Sequence, residues 1–206
     1  MRLFYTPSTI SVAVAITLEE AGLDYTHTLI DFAQAEQTKP DYLAINPKGR
    51  VPALETEGTI LTETGALLDY IAAKAPGANF IPNDPIKAAQ MRSVMYYLAS
   101  TMHINHAHGP RGSRWADHQS SFDDMKKKVP ETMAASAQYI EDSCLKGPYI
   151  LGDELTLADP YLFAIGTWLP GDGVTVSDFP KLAAFMDTMR ARTSVKTVIT
   201  KGILPR

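Results

Sequence analysis

The period of the hydrophobic pattern changes once along this chain, near residues 76–86, and that change limits the available folds more than any other feature. Before it, short β-rich runs at 2–6, 25–30, 51–55 and 59–61 alternate with helical runs at 11–21 and 63–75. Strand, helix, strand, hairpin and closing helix make a small mixed sheet with helices packed on it. The string Pro76-Gly77-Ala78-Asn79-Phe80-Ile81-Pro82-Asn83-Asp84-Pro85 then carries three prolines and a glycine, the composition of a linker. Beyond Pro85 the strand signal nearly vanishes, and helical periodicity runs through 86–106, 117–145, 156–168 and 179–189. The expected organisation is an α/β domain over 1–77, a linker over 78–85 and an all-helical domain over 86–206.

Composition removes several function classes. A lone cysteine, Cys144, allows no disulfide framework within the chain and no CxxC redox or zinc site, which fits a reducing compartment. Nineteen basic against twenty-three acidic residues, with Lys126-Lys127-Lys128 the longest basic run, give little reason to expect a nucleic-acid or anionic-membrane surface. No long apolar run marks a membrane span, and Met1-Arg2-Leu3-Phe4-Tyr5 reaches Pro7 without the pattern of a secretory signal. A cytoplasmic chain acting on small molecules or proteins is the expectation.

Local chemistry places several turns. Thr156-Leu157-Ala158-Asp159 has the spacing of a capping box, and the apolar residues around it suit a helix inside the helical domain. Gly22 has the position of a glycine that ends the first helix in a left-handed conformation. The densest signal is Asn46-Pro47-Lys48-Gly49-Arg50-Val51-Pro52-Ala53-Leu54, where a proline stands at the mouth of a strand and denies the sheet a donor. A trans proline on an edge strand is the default for such a bond. A cis bond would instead turn the main chain of Val51 outward, free to pair with an extended peptide-like ligand.

Four blocks then carry a resemblance. Leu3-Phe4-Tyr5-Thr6-Pro7, the Asn46–Leu54 block, Leu61-Thr62-Glu63-Thr64 before a helix, and Gly152-Asp153-Glu154-Leu155-Thr156-Leu157-Ala158-Asp159 together resemble the cytosolic glutathione S-transferases, most nearly the bacterial beta class. The resemblance spans nearly the whole chain with the blocks in register. It implies a thioredoxin-like N-terminal domain with a cis Pro52, an all-helical C-terminal domain and a homodimer. It also implies a glutathione site in which Val51 pairs its main chain with the cysteinyl part, while Glu63 and Thr64 hold the γ-glutamyl end. A helix N-terminus offers unpaired amides and a positive dipole end to such a carboxylate. Reduced glutathione would be a co-substrate, with no permanently bound cofactor.

Catalysis would require the glutathione sulfur to be a thiolate near neutral pH. A thiol of pKa about 8.5 is mostly protonated there, and lowering it by two units takes roughly 2.7 kcal/mol. One hydrogen bond to the charged sulfur contributes about 1.5–3 kcal/mol and a helix N-terminus up to about 2, so a single hydroxyl at a helix start suffices. Ser8, Thr9 and Ser11 supply hydroxyls there and Tyr5 another. Where the beta class carries its cysteine this chain has Ile10, which argues against mixed-disulfide chemistry, since a hydroxyl cannot resolve a disulfide. Ser11 or Thr9 is the expected donor, Ser11 being favoured by the family match; a plain N-cap is the competing use of Ser11.

In the helical half, His103 aligns with a histidine that the beta class places near the sulfur, and His106 follows one turn later. His103-x-x-His106-x-His108 also has metal-ligand spacing, but no cysteine or carboxylate lies nearby in sequence to complete a set, and no metal is assigned. His103 is placed at the glutathione site. Ser8, Tyr96, His106, Arg111 and Trp115 are placed around the electrophile, and Trp168 in the core. The reading is a glutathione transferase joining the thiolate to an electrophilic or hydrophobic small molecule, as in detoxification. A glutathione-dependent reductase or lyase, or a noncatalytic binding protein of the same fold, is the alternative.

Overall fold

The computed structural model describes residues 1–205. In chain order its strands and α-helices are β1 (Arg2–Tyr5), α1 (Ser11–Glu20), β2 (Thr26–Leu29), α2 (Pro40–Ile45), β3 (Ala53–Thr56), β4 (Thr59–Thr62) and α3 (Thr64–Lys74). There follow α4 (Pro85–Tyr97), α5 (His103–Ala107), α6 (Gln119–Tyr139), α7 (Ala158–Gly166), α8 (Pro180–Ala191) and α9 (Thr193–Thr200). They fall into two compact units, Met1–Ile81 with the segment from Met189 onward, and Pro82–Thr188.

The first unit holds the mixed sheet that the strand–helix–strand–hairpin pattern requires, in the order β2-β1-β3-β4. β1 runs parallel to β2, with Leu3 opposite His27, and antiparallel to β3, with Leu3 opposite Leu54. β3 and β4 form the hairpin, with Leu54 opposite Leu61. One face of the sheet packs Phe4 and Ala53 against Ile30 and Tyr42. Helix α1 has no polar stripe: Val12, Ala13, Val14, Ala15, Ile16 and Leu18 are all buried, the mark of a helix covered on every side. Each such aliphatic side chain contributes about 1.5–3 kcal/mol by leaving water. The helix ends as its glycine requires: Gly22 sits at φ +63°, its N–H bonds the Glu19 carbonyl, and Leu23 N–H reaches back to Leu18 at 3.1 Å.

The sequence pattern left residues after 189 without an element and placed them with the helical domain. The structure forms α9 there and packs it on α1. Thr193-Ser194-Val195-Lys196-Thr197-Val198-Ile199-Thr200 is rich in β-branched residues, poor helix formers, so its helicity rests on tertiary contacts. Val195 and Val198 are buried, and Glu20 at the end of α1 accepts from Arg192 Nε at 2.5 Å, from Arg192 Nη2 at 2.7 Å and from the Ser194 hydroxyl. Lys201 is held by Glu19 and lies over the Tyr25 ring. Burial, then the neighbouring Glu19 carboxylate, drives the Tyr25 phenol far above its ordinary pKa.

In the second unit the run expected at 86–106 is continuous but not uniform: α4 passes through a π-helical stretch, Leu98–Met102, into α5. Asp84 caps α4, accepting from Ile86 N at 2.8 Å and Lys87 N at 3.0 Å, with Pro85 in the first turn. The expected helix at 117–145 appears as α6 followed by π-helical Ile140–Cys144. Before α7 only half of the capping box forms. The Asp159 carboxylate reaches back to Thr156 N at 2.7 Å, but the Thr156 hydroxyl donates to that carboxylate at 2.9 Å instead of accepting from the Asp159 amide. A buried carboxylate is the stronger acceptor and takes both donors. Helix α7 is buried throughout, as the apolar flanks of the cap indicated. No helix among the described residues is long and apolar enough to cross a membrane.

Candidate functional site

The segment before β3 is built to present one residue. Gly49 stands at φ +60°, and a Cβ there would lie 2.9 Å from the Gln37 carbonyl, so only glycine fits the turn. Asn46 is buried; its side-chain amide donates to the Arg50 carbonyl at 2.7 Å, while its oxygen accepts from Lys48 N at 3.2 Å. The Tyr42 hydroxyl donates to the same Arg50 carbonyl at 2.7 Å, and burial pushes its phenol up to about 12. Two donors thus pin the residue before Val51. The Val51-Pro52 bond is cis, and β3 begins only at Ala53. The main-chain N–H and C=O of Val51 make no hydrogen bond among the described residues.

At the start of α3, Glu63 occupies the N-cap with φ 71° and ψ 115°, a conformation that non-glycine residues rarely take. Leu67 N–H is the first to close onto the Glu63 carbonyl. The amides of Thr64, Gly65 and Ala66 have no acceptor within the helix, and Thr64 is buried at this end. The Glu63 carboxylate is exposed and paired with Lys48 Nζ, which also donates to Thr62 Oγ1 at 2.7 Å. Lys48 was not singled out from sequence; its place inside the Asn46–Leu54 block was the available signal.

Helix α1 begins differently from a simple serine cap. Ile10 is the N-cap and is buried, so no reactive side chain occupies that position. Ser11 lies in the first turn and is fully buried, its Oγ 3.0 Å from the Thr9 hydroxyl. Thr9 is half-buried; its hydroxyl donates to the Thr6 carbonyl at 2.7 Å and accepts from Ser11 N at 3.4 Å. Ser8 is exposed at φ 60°, and its N–H donates to the Ile203 carbonyl at 3.2 Å. The segment after α9 therefore braces the loop before α1, a contact with no local sequence signal. Tyr5 is buried in β1 with its ring edge-on to His27, 5.4 Å between centroids.

In the second unit, two of the named histidines meet. His103 lies edge-on to Trp168 at 4.9 Å, and His106 stacks on the same indole at 4.3 Å. Trp168 is buried, as a core residue should be. Asp172 is also buried and takes His106 Nδ1 at 2.8 and 3.0 Å; sequence reading did not find it, because 66 residues separate the pair. Trp115 is half-exposed with His108 edge-on at 4.6 Å, Arg111 is half-buried, and Tyr96 lies apart on the outer face of α4, 70% exposed. No group of three potential metal ligands forms among the described residues.

Residues 1–73 match the family model for the glutathione S-transferase N-terminal domain, and residues 113–202 match one for its C-terminal domain. The chain is 30% identical to the glutathione S-transferase GstA of Escherichia coli O157:H7, over 97% of this chain and 98% of that one. It is also 30% identical to a maleylacetoacetate isomerase of Pseudomonas aeruginosa, over 93% and 92%. A crystal structure of a glutathione transferase homologue from Sulfitobacter, with bound glutathione, superimposes at a TM-score of 0.98 with 64% identity and 98% of both chains covered.

Proposed function

This chain belongs to the glutathione S-transferase family, and from that premise we propose that it binds reduced glutathione, ionises its thiol and joins the sulfur to an electrophilic carbon of a small molecule. The observation that carries the reading is the unpaired main chain of Val51 beside cis Pro52, at the mouth of an antiparallel hairpin. An extended γ-glutamyl-cysteinyl backbone pairs there as a short added strand. The free amides of Thr64, Gly65 and Ala66 then suit the γ-glutamyl carboxylate, and the Glu63 carboxylate its ammonium.

For the thiolate, the geometry favours Thr9 over Ser11. Ser11 has no exposed surface, whereas Thr9 is half-open and its hydroxyl can turn from the Thr6 carbonyl to a charged sulfur, a stronger acceptor. Ser11 stays 3.0 Å behind Thr9 and orients it. Buried Ile10 supplies no thiol, so the reactive sulfur is borrowed from glutathione. The same reading includes a homodimer, for which the apolar Ile86 and Tyr96, exposed on α4, provide a face.

The test follows the ultraviolet absorbance of the bound thiolate against pH together with steady-state turnover. Thr9→Val should raise the pKa of the bound thiol and cut kcat/KM by about 10- to 100-fold, the equivalent of one charge-assisted hydrogen bond. Ser11→Ala should do less. If the two variants, singly and together, change neither quantity, the hydroxyl mechanism is wrong. Similarity to an isomerase favours one second reading, glutathione-dependent isomerisation. Product analysis decides it, since an isomerisation returns reduced glutathione unconsumed, whereas conjugation consumes it.

A further inference from the structure

The end of the chain returns, within the first unit, to the loop that carries Ser8 and Thr9. Glu20 holds Arg192 at the N-cap of α9, and Glu19 holds Lys201 at its end. The helix then closes with both hydrogen bonds of a Schellman turn, Gly202 N–H to the Ile199 carbonyl at 3.0 Å and Ile203 N–H to the Val198 carbonyl at 3.1 Å. Gly202 stands at φ +72°, and a Cβ there would meet nothing within 4 Å, so the turn calls for glycine by conformation and not by space. Ile203 and Leu204 beyond it are buried. The turn thus fixes the direction of the Ile203 carbonyl, which accepts Ser8 N–H at 3.2 Å.

Ser8 itself is held at φ 60°, a left-handed conformation that a non-glycine residue keeps only where its surroundings enforce it. Rotation there swings Thr9 relative to Thr6, the residue that follows β1. Two local ties cross the turn: Thr9 N–H reaches the Thr6 carbonyl at a long 3.4 Å, and the Thr9 hydroxyl reaches it at 2.7 Å. The stronger of these is the bond that Thr9 gives up when its hydroxyl turns to sulfur, and the brace from Ile203 stays in place. We infer that Gly202 and Ile203 are positioning residues of the transferase, which lock Ser8 in its left-handed conformation and so aim the Thr9 hydroxyl at the glutathione sulfur. This rests on the reading that a hydroxyl before α1 ionises that sulfur. The brace involves neither the Val51 main chain nor the first amides of α3, so it acts on ionisation of the thiol and not on binding of glutathione.

The experiment compares Gly202→Val with Gly22→Val, a matched substitution, because Gly22 also ends a helix of this unit at positive φ, +63°, with nothing within 4 Å of an added Cβ. A β-branched residue is an outlier at positive φ, so each variant opens its own turn. The absorbance of the bound thiolate is followed against pH, with kcat, KM for glutathione and urea unfolding. Gly202→Val should raise the pKa of the bound thiol by about 0.3–1 unit and lower kcat below that pKa by about 2- to 10-fold, the range of one hydrogen bond, with KM for glutathione unchanged. Gly202→Asn, which tolerates the left-handed conformation, should restore both. Gly22→Val should lose stability and leave the pKa of the bound thiol as in wild type. An unchanged thiol in Gly202→Val, an equal shift in Gly22→Val, or no rescue by asparagine overturns the inference. Amide exchange in the wild type, read by NMR, is independent of how the variants fold: Ser8 N–H should be protected and should exchange together with the amides of Ile203 and Leu204, through one opening of the turn. Exchange of Ser8 at the rate of an unbonded loop amide overturns the brace. A shift in Thr9→Val with none in Gly202→Val overturns this inference alone; no shift in Thr9→Val combined with Ser11→Ala overturns the hydroxyl reading beneath it.

Discussion

Glu20→Gln should loosen the join between the first helix and the last. In the native protein Glu20 takes both Arg192 Nε, at 2.5 Å, and Nη2, at 2.7 Å, and also the Ser194 hydroxyl in the first turn of α9. The glutamate side chain is 13% exposed and the arginine 30%, so the pair lies between a buried and a surface ion pair. Hydrogen bonds to a charged group contribute about 1.5–3 kcal/mol and an exposed pair about 0–1, which places the cost of the substitution near 2 kcal/mol. Burial alone would raise the Glu20 pKa, but the Arg192 and Ser194 hydrogen bonds and the arginine charge outweigh it and hold the carboxyl below its ordinary 4.5. A folded-state pKa below the unfolded one stabilises the fold above the unfolded value, and the benefit disappears as pH falls through the folded value. Urea unfolding of wild type and variant should therefore show the full difference at neutral pH and a shrinking one below 4.5. A difference under about 0.5 kcal/mol at neutral pH, or one unchanged in acid, refutes the reasoning. Activity should fall with stability, because the Ile203 carbonyl beyond α9 holds Ser8 N–H, next to the Thr9 hydroxyl.

Two glycines give sharper packing tests. Gly49→Ala forces a side chain into a left-handed turn and a Cβ to 2.9 Å from the Gln37 carbonyl, and should cost about 1–3 kcal/mol in chemical denaturation while raising KM for glutathione through displacement of Val51. Gly166→Ala places a Cβ 2.6 Å from Met186 Sδ inside the helical unit. It should cost about 1–3 kcal/mol by overpacking and leave KM for glutathione unchanged; unaltered thermal unfolding would show that Met186 yields freely.

Where structure followed from neighbours in sequence, the sequence was readable. The Gly22 helix end and the strand, helix and hairpin succession of the first unit depend on turn residues or on residues a few positions apart. Other features were missed for identifiable reasons. The short helix α2 lies in a polar stretch whose one buried side chain, Tyr42, gives no periodic stripe. The difference in burial between the Thr9 and Ser11 hydroxyls has no local sequence signal either, since a family match is silent about burial.

The sequence by itself determined the two-part plan, with a mixed sheet before Pro76 and helices after Pro85, because proline, glycine and hydrophobic period act over a few residues. Tertiary structure alone decided that β-branched α9 is a helix at all, since its N-cap residue Arg192 is tied to Glu20, 172 residues away, and its valines are buried. It also decided that α8 starts where Glu141 accepts the amides of Lys181 and Leu182, and that His106 meets Asp172. Each of these joins needs a carboxylate and its donors to be desolvated together, a condition that no local pattern encodes and that only the closed packing of helices supplies.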